Sequence, residues 1–383
     1  MHSASPDRRA RFVAACLVAL LAAIGLTWMG CVDKTELPVE PQATADKATP
    51  GENEYQILGL GNPRVVEVMS VQQQHTPKIM AVNDVVGTAI GLSARGEVVM
   101  KVYAANPLDD GAVPDQLDGV PVEVEVTGIF HAMKGGGGGG VSHTAKQTPP
   151  IQLGTSGGWR YDLANGYCCG GTLGSLVHIG STQYILSNYH VLEADIVSGG
   201  NNRVAQAGDP VVQPGLIDIS CNAANGQDVA TLSGIKSLPG SNVDAAIARV
   251  INGMVRTDGS ILEIGTISSQ TVGASINQAV KKSGRTTGLS RSKISGLNAT
   301  VSVAYDNECA GGAAFTKTYT GQIIIANRGS KFLAGGDSGS LMVEDVSTNP
   351  RAVGLLFAGS STSAVANPIG QVLSFFGASM VGQ

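Results

Sequence analysis

The chain is 383 residues long, room for more than one domain, with a formal charge of −5 and only 14% charged residues. Aromatic residues make up 4% of it and no basic stripe interleaved with them runs through it, which argues against a nucleic-acid surface. Its 51 glycines, about twice the ordinary share, favour many short strands joined by turns.

Residues 1–31 read as an address. Arg8, Arg9 and Arg11 precede an apolar run over 12–29, the charged-then-hydrophobic order of an export signal. Three fates stay open: cleavage, lipidation at Cys31 behind Gly30, and retention as an anchor, since 18 residues can just span a bilayer. The expected location is outside a bacterial cytoplasm: secreted, periplasmic, or attached to the envelope through the N-terminus. Residues 32–54, rich in Pro, Ala, Thr and charges, read as a flexible tether.

Over 55–131 the texture changes. The spacing predicts a helix over 64–80, with Val65, Val68, Met69 and Ile79 as its apolar face. Strands are predicted over 85–92, 97–104 and 120–129. Val98, Met100 and Val102 alternate with Val99, Lys101 and Tyr103, and Val120, Val122, Val124 and Val126 alternate with Pro121, Glu123 and Glu125, which reads as a half-buried sheet. A small α+β domain without a catalytic constellation is the expectation, its role open among propeptide, folding aid, partner-binding domain and simple packing. Residues 132–150, with the glycine run 135–140, are a linker, and 151–383 form the main domain.

Within the main domain lie Cys168, Cys169, Cys221 and Cys309. A bridge between the adjacent pair would be strained, so one of the two is expected to join Cys221 and the other Cys309. No Cys-x-x-Cys spacing supports a metal, and neither metal nor organic cofactor is implied.

The chemistry concentrates at Gly335-Gly336-Asp337-Ser338-Gly339-Ser340, ahead of the apolar run Leu341-Met342-Val343. A serine in a glycine-rich turn before a strand is presented as a nucleophile, and the amides of Gly336 and Ser338 could converge on an oxyanion. Serine needs a base. His190, at the end of the strand-like stretch 184–192, supplies one, and Asp244, opening the buried-strand pattern Asp244-Ala245-Ala246-Ile247, can orient its imidazole.

With Cys169-Gly170-Gly171-Thr172-Leu173, Ser187-Asn188-Tyr189-His190, Asp244-Ala245-Ala246-Ile247 and Gly336-Asp337-Ser338-Gly339 in this order, the sequence resembles the chymotrypsin-like serine proteases. The segment Ser283-Gly284-Arg285-Thr286-Thr287-Gly288 is similar to one in their secreted bacterial, alpha-lytic-like branch, and the resemblance covers roughly 165–377. It implies a mainly β chain folded as a double six-stranded β-barrel, and a serine endopeptidase acting on proteins or peptides. His190, Asp244 and Ser338 would form the triad, with the oxyanion held by the Gly336 and Ser338 amides. It further implies a substrate-pairing strand through Gly359, Phe332 near the specificity pocket with a small or apolar residue preferred before the cut, and a buried Arg285–Asp337 ion pair that shapes the oxyanion turn without proteolytic activation. The usual family staple next to the histidine is missing, since Val191 stands there. A catalytically silent peptide-binding or adaptor module on the same fold is the alternative, with an esterase a third reading. Oligomeric state has no signal in the sequence.

Overall fold

The computed structural model describes residues 56–132, 141–164, 167–192, 203–305, 314–327 and 331–383. The expected address, the tether, residues 133–140 of the linker with its glycine run, and Cys309 lie outside the described residues.

Two rings of six strands carry the main domain. In the first, Thr155–Trp159 pairs with Gly171–Leu173 on one side and Pro210–Gln213 on the other. Gly171–Leu173 runs through Gly174 into Ser175–Ile179, and the pairing continues through Thr182–Ser187, Ala246–Val250 and Gln227–Leu232 back to Pro210–Gln213. The ring closes if the bent strand 171–179 counts once. Gly174 is obligatory at the bend: a Cβ there would sit 2.0 Å from the Gly339 carbonyl oxygen of the other ring. In the second ring, Ala279–Gly284 pairs with Leu341–Glu344, then Ala352–Gly359, Ser363–Pro368, Phe315–Ala326 and Gly288–Tyr305, which returns to Ala279–Gly284. The double six-stranded barrel expected from the sequence is therefore present. The closure removes the open edges a single sheet would leave.

The segment 55–131 folds as predicted locally but does not stand apart. Its helix, Pro63–Ile79, begins one residue earlier than predicted, because Pro63 suits the first helical position and Asn62 Oδ1 accepts from the amides of Arg64 (3.0 Å) and Val65 (3.3 Å). Its strands Val85–Leu92, Val98–Ala104 and Val120–Val126 are stacked onto the outer part of Gly288–Tyr305, with Thr88 opposite Thr300 and Gly87 opposite Val301, so one sheet runs from the second barrel through the upstream segment. All described residues accordingly fall in one unit, Ala48–Gln383. The expected half-buried pattern also fails at Val98–Ala104, where both faces are covered. Val98, Met100 and Val102 join the second-barrel core while Tyr103 packs into a cluster that includes residues of both barrels, against Phe130 at 5.9 Å between ring centroids. At Val120–Val126 the alternation holds only for the first half: Val120 and Val122 are buried, whereas Val124 and Val126 are exposed.

Cys168 and Cys221 form a disulfide with Cα atoms 5.5 Å apart, one of the two arrangements expected. Cys169 is also disulfide-bonded. Among the described residues no helix is long and apolar enough to cross a membrane.

Candidate active site

Neighbouring strand ends in the first barrel bring the candidate base, His190, and the candidate orienting acid, Asp244, together. Ser187, last in its strand, pairs with Ala246, so His190, one turn beyond, faces Asp244, two residues before. His190 Nδ1 donates to Asp244 Oδ2 at 2.6 Å, and both side chains are buried. Asp244 Oδ1 accepts the backbone amides of Tyr189 (2.8 Å) and His190 (3.2 Å). Behind it, Asn188 Nδ2 donates to the Asp244 carbonyl at 2.7 Å, and the Asp244 amide donates to Asn367 Oδ1 of the second barrel at 2.9 Å.

The hydrogen bond at Nδ1 fixes the tautomer. With its proton on Nδ1, neutral His190 carries its lone pair on Nε2, and that buried nitrogen has no hydrogen-bond partner among the described residues.

The turn that carries Ser338, the candidate nucleophile, belongs to the second barrel and is clamped by the first. Thr172 N donates to the Ser338 carbonyl (2.8 Å), Thr172 Oγ1 to the Gly336 carbonyl (2.9 Å), and Ser187 Oγ to the Thr172 carbonyl (2.7 Å). Gly336 has φ of +95°, and a Cβ on it would lie 2.5 Å from Thr286 Oγ1, so only glycine fits. The amides of Asp337, Gly339 and Ser340 donate to Ala334, Leu356 and Asp337 carbonyls, whereas those of Gly336 and Ser338 have no acceptor among the described residues. Those two are the amides an oxyanion would need. Ser338 itself is fully buried, and its Oγ donates to the Phe357 carbonyl at 3.1 Å rather than to His190.

The predicted Arg285–Asp337 pair is replaced by two other pairs. Asp337 is bound by Lys282, whose Nζ lies 3.0 Å from Oδ1 with both side chains fully buried. Its Oδ1 also accepts the amides of Thr286 (2.9 Å) and Thr287 (3.1 Å), and Oδ2 accepts Thr287 Oγ1 (2.8 Å) and the Ala334 amide (3.0 Å). Burial lowers the Lys282 ammonium's pKa from its ordinary value, and Asp337 pulls the other way. Arg285 turns to the first barrel, where Nε and Nη2 grip Asp218 at 2.7 and 2.6 Å, a bidentate pair.

The two residues expected at the substrate cleft differ in fate. Phe332 is fully buried in the second-barrel core, so its ring lines no open pocket, and its carbonyl accepts from Ser290 Oγ at 3.0 Å. Gly359 ends the expected pairing strand, but the place beside it is filled: Phe130–Ala132 runs antiparallel to it, with Ala132 opposite Ala358 and His131 opposite Gly359. Phe130 and His131 also pair in parallel, with Val303 and Ala304 on their other side. Lys282, Asp218, Thr172 and Asn367 were not singled out by sequence reasoning, although Thr172 lies within the segment 169–173 and Lys282 directly precedes the segment 283–288.

Three solved structures show how far the likeness extends. Thermobifida fusca protease A is 22% identical with a TM-score of 0.40, over 61% of this chain and 99% of its own. A glutamic acid specific serine protease described as using a histidine triad in substrate binding is 20% identical at TM-score 0.39, over 60% and 100%. Cellulomonas bogoriensis chymotrypsin is 20% identical at 0.37, over 61% and 99%. No family model and no curated protein matches the sequence.

Proposed function

We propose that the chain is an exported serine endopeptidase whose cleft is occupied by its own upstream segment in the form described. Ser338 attacks a peptide carbonyl, His190 takes the proton at Nε2 and returns it to the leaving amine, and water then releases the acyl group from Ser338 by the reverse route. Asp244 holds the tautomer, and the Gly336 and Ser338 amides hold the oxyanion. The observation that carries this reading is the buried His190 imidazole, committed at Nδ1 to Asp244 and uncommitted at Nε2.

Substrate would bind by adding a strand to Ala352–Gly359, the place Phe130–Ala132 now holds. Phe130 is fully buried, which secures that segment by roughly 1.5 to 3 kcal/mol. A substrate has to displace it or arrive after it is removed. A small or apolar residue before the cut remains the proposed preference.

The rival is a silent module, and Ser338 Oγ bonded to the Phe357 carbonyl favours it. A fluorophosphonate probe separates the two. Labelling of wild type, lost in Ser338→Ala and faster in Phe130→Ala, is expected. A folded chain that stays unlabelled in all forms, including after limited proteolysis of the upstream segment, would leave the silent module standing.

A further inference from the structure

One phenol reaches the acid from outside the triad. Tyr305, the last residue of Gly288–Tyr305, donates from its hydroxyl to Asp244 Oδ2 at 2.8 Å, on the oxygen that also accepts His190 Nδ1. Its ring lies edge-on to the His190 imidazole, centroids 5.9 Å apart, and stacks on Phe315 at 4.7 Å. Its oxygen is 2.5 Å from that of Tyr319, on the partner strand of the hairpin. Because the single proton of Tyr305 goes to the carboxylate, Tyr319 must donate to Tyr305, which orders the chain Tyr319 to Tyr305 to Asp244. Such a chain polarises each member and strengthens the last bond. Burial, with Asp244 close by, holds the Tyr305 phenol well above its ordinary pKa, so it remains a donor.

We infer that Tyr305 is a positioning residue for the proposed triad, fixing the Asp244 carboxylate and thereby the basicity of His190. This rests on the endopeptidase reading for its catalytic consequence only. The carboxylate carries four donors: two amides on Oδ1, and His190 and Tyr305 on Oδ2. Spreading the negative charge onto a phenol weakens its hold on an imidazolium and fixes the plane of the carboxylate against His190 Nδ1. Without the phenol, one lone pair of Oδ2 is left unmatched in a site that excludes water, and the carboxylate pulls harder on the imidazolium.

The experiment uses the full chain with Tyr305→Phe, which keeps the ring and its stacking and removes only the hydroxyl. The downfield proton resonance of His190 Nδ1 is followed against pH, together with kcat and KM on a peptide substrate. The imidazole midpoint is expected to rise by about one pH unit, a tenfold change in proton affinity. Turnover should fall about tenfold with KM little changed. Tyr319→Phe should give a smaller shift in the same direction, and Phe315→Leu, which disturbs packing without touching a hydroxyl, none. An unchanged midpoint in Tyr305→Phe, or an equal shift in Phe315→Leu, would overturn the inference and reduce Tyr305 to packing. Should the wild type fail to react with the fluorophosphonate probe, the endopeptidase reading falls, while the resonance still decides the role of Tyr305.

Discussion

Replacing Lys282 by Met tests which cation supports the nucleophile turn. The substitution keeps most of the side-chain volume but strands the fully buried Asp337 carboxylate. Breaking one half of a buried pair costs ~3 to 5 kcal/mol. Asp337 retains four neutral donors, from Thr286, Thr287 and Ala334, so the lower end applies. About 3 kcal/mol is roughly a 160-fold loss in the folding constant. In a chain of this size that is a fall in Tm of about 4 °C. Calorimetry of Lys282→Met, Asp337→Leu and the double variant should show the double variant more stable than Lys282→Met alone, because an apolar pair removes the uncompensated charge. The same cycle with Arg285→Met in place of Lys282→Met should give a coupling smaller by at least about 1 kcal/mol. A larger coupling for Arg285 would refute the assignment. The pH dependence has a definite sign. With its pKa lowered by burial, folded Lys282 binds its proton less tightly than the unfolded chain does, so its contribution to stability rises with pH below the ordinary lysine value of 10.5. Lys282→Met should flatten that rise.

Further outcomes follow from the geometry. Gly336→Ala should abolish fluorophosphonate labelling and lower Tm, since a Cβ at φ +95° meets Thr286 Oγ1 at 2.5 Å; wild-type reactivity in this variant would remove the oxyanion role of the turn. Asp244→Asn should retain the fold and lose at least a hundredfold in kcat, read by active-site titration, through loss of the tautomer that leaves Nε2 basic. Non-reducing peptide mapping should recover Cys168 linked to Cys221, with Cys169 in a second bridge whose expected partner is Cys309. A peptide-library profile dominated by Lys or Arg before the cut would sink the proposed preference for small or apolar residues.

The His190–Asp244 contact and the glycine turn around Ser338 could be read from the sequence, for a local reason. A nucleophile on a glycine turn, a base at a strand end and an acid at a strand start each need neighbours within a few residues, and those neighbours are written contiguously at 335–343, 184–192 and 244–250. Strand existence was legible in the same way at 85–92, whose predicted bounds coincide with the strand. Pairing was not. That Val85–Leu92 would lie against Gly288–Tyr305, more than 200 residues on, depends on a long-range register that periodicity does not encode. The consequence at Val98–Ala104 was a sheet covered on both faces where alternation suggested one. Tyr305 was invisible for the same reason, being an ordinary strand residue until the hairpin carries it to Asp244.

The exchange of Arg285 for Lys282 shows how a motif can be right in place and wrong in partner. Lys282 lies on the strand Ala279–Gly284, whereas Arg285 lies in the turn that follows it, so strand alternation does not relate the two side chains. Lys282 meets Asp337, and Arg285 is directed across the barrel interface to Asp218. The resemblance named Arg285, but the backbone at Thr286 and Thr287 already donates to Asp337 Oδ1, and the short strand before it brings the Lys282 ammonium to the same oxygen. Each cation thus serves a different junction: Lys282 holds the nucleophile turn to its own barrel, and Arg285 holds that barrel to the first. Losing Arg285 should therefore loosen the barrels against each other while leaving the Asp337 contacts in place. The expected signature of Arg285→Met is a lower Tm with an unchanged pH profile of labelling, whereas Lys282→Met alters both.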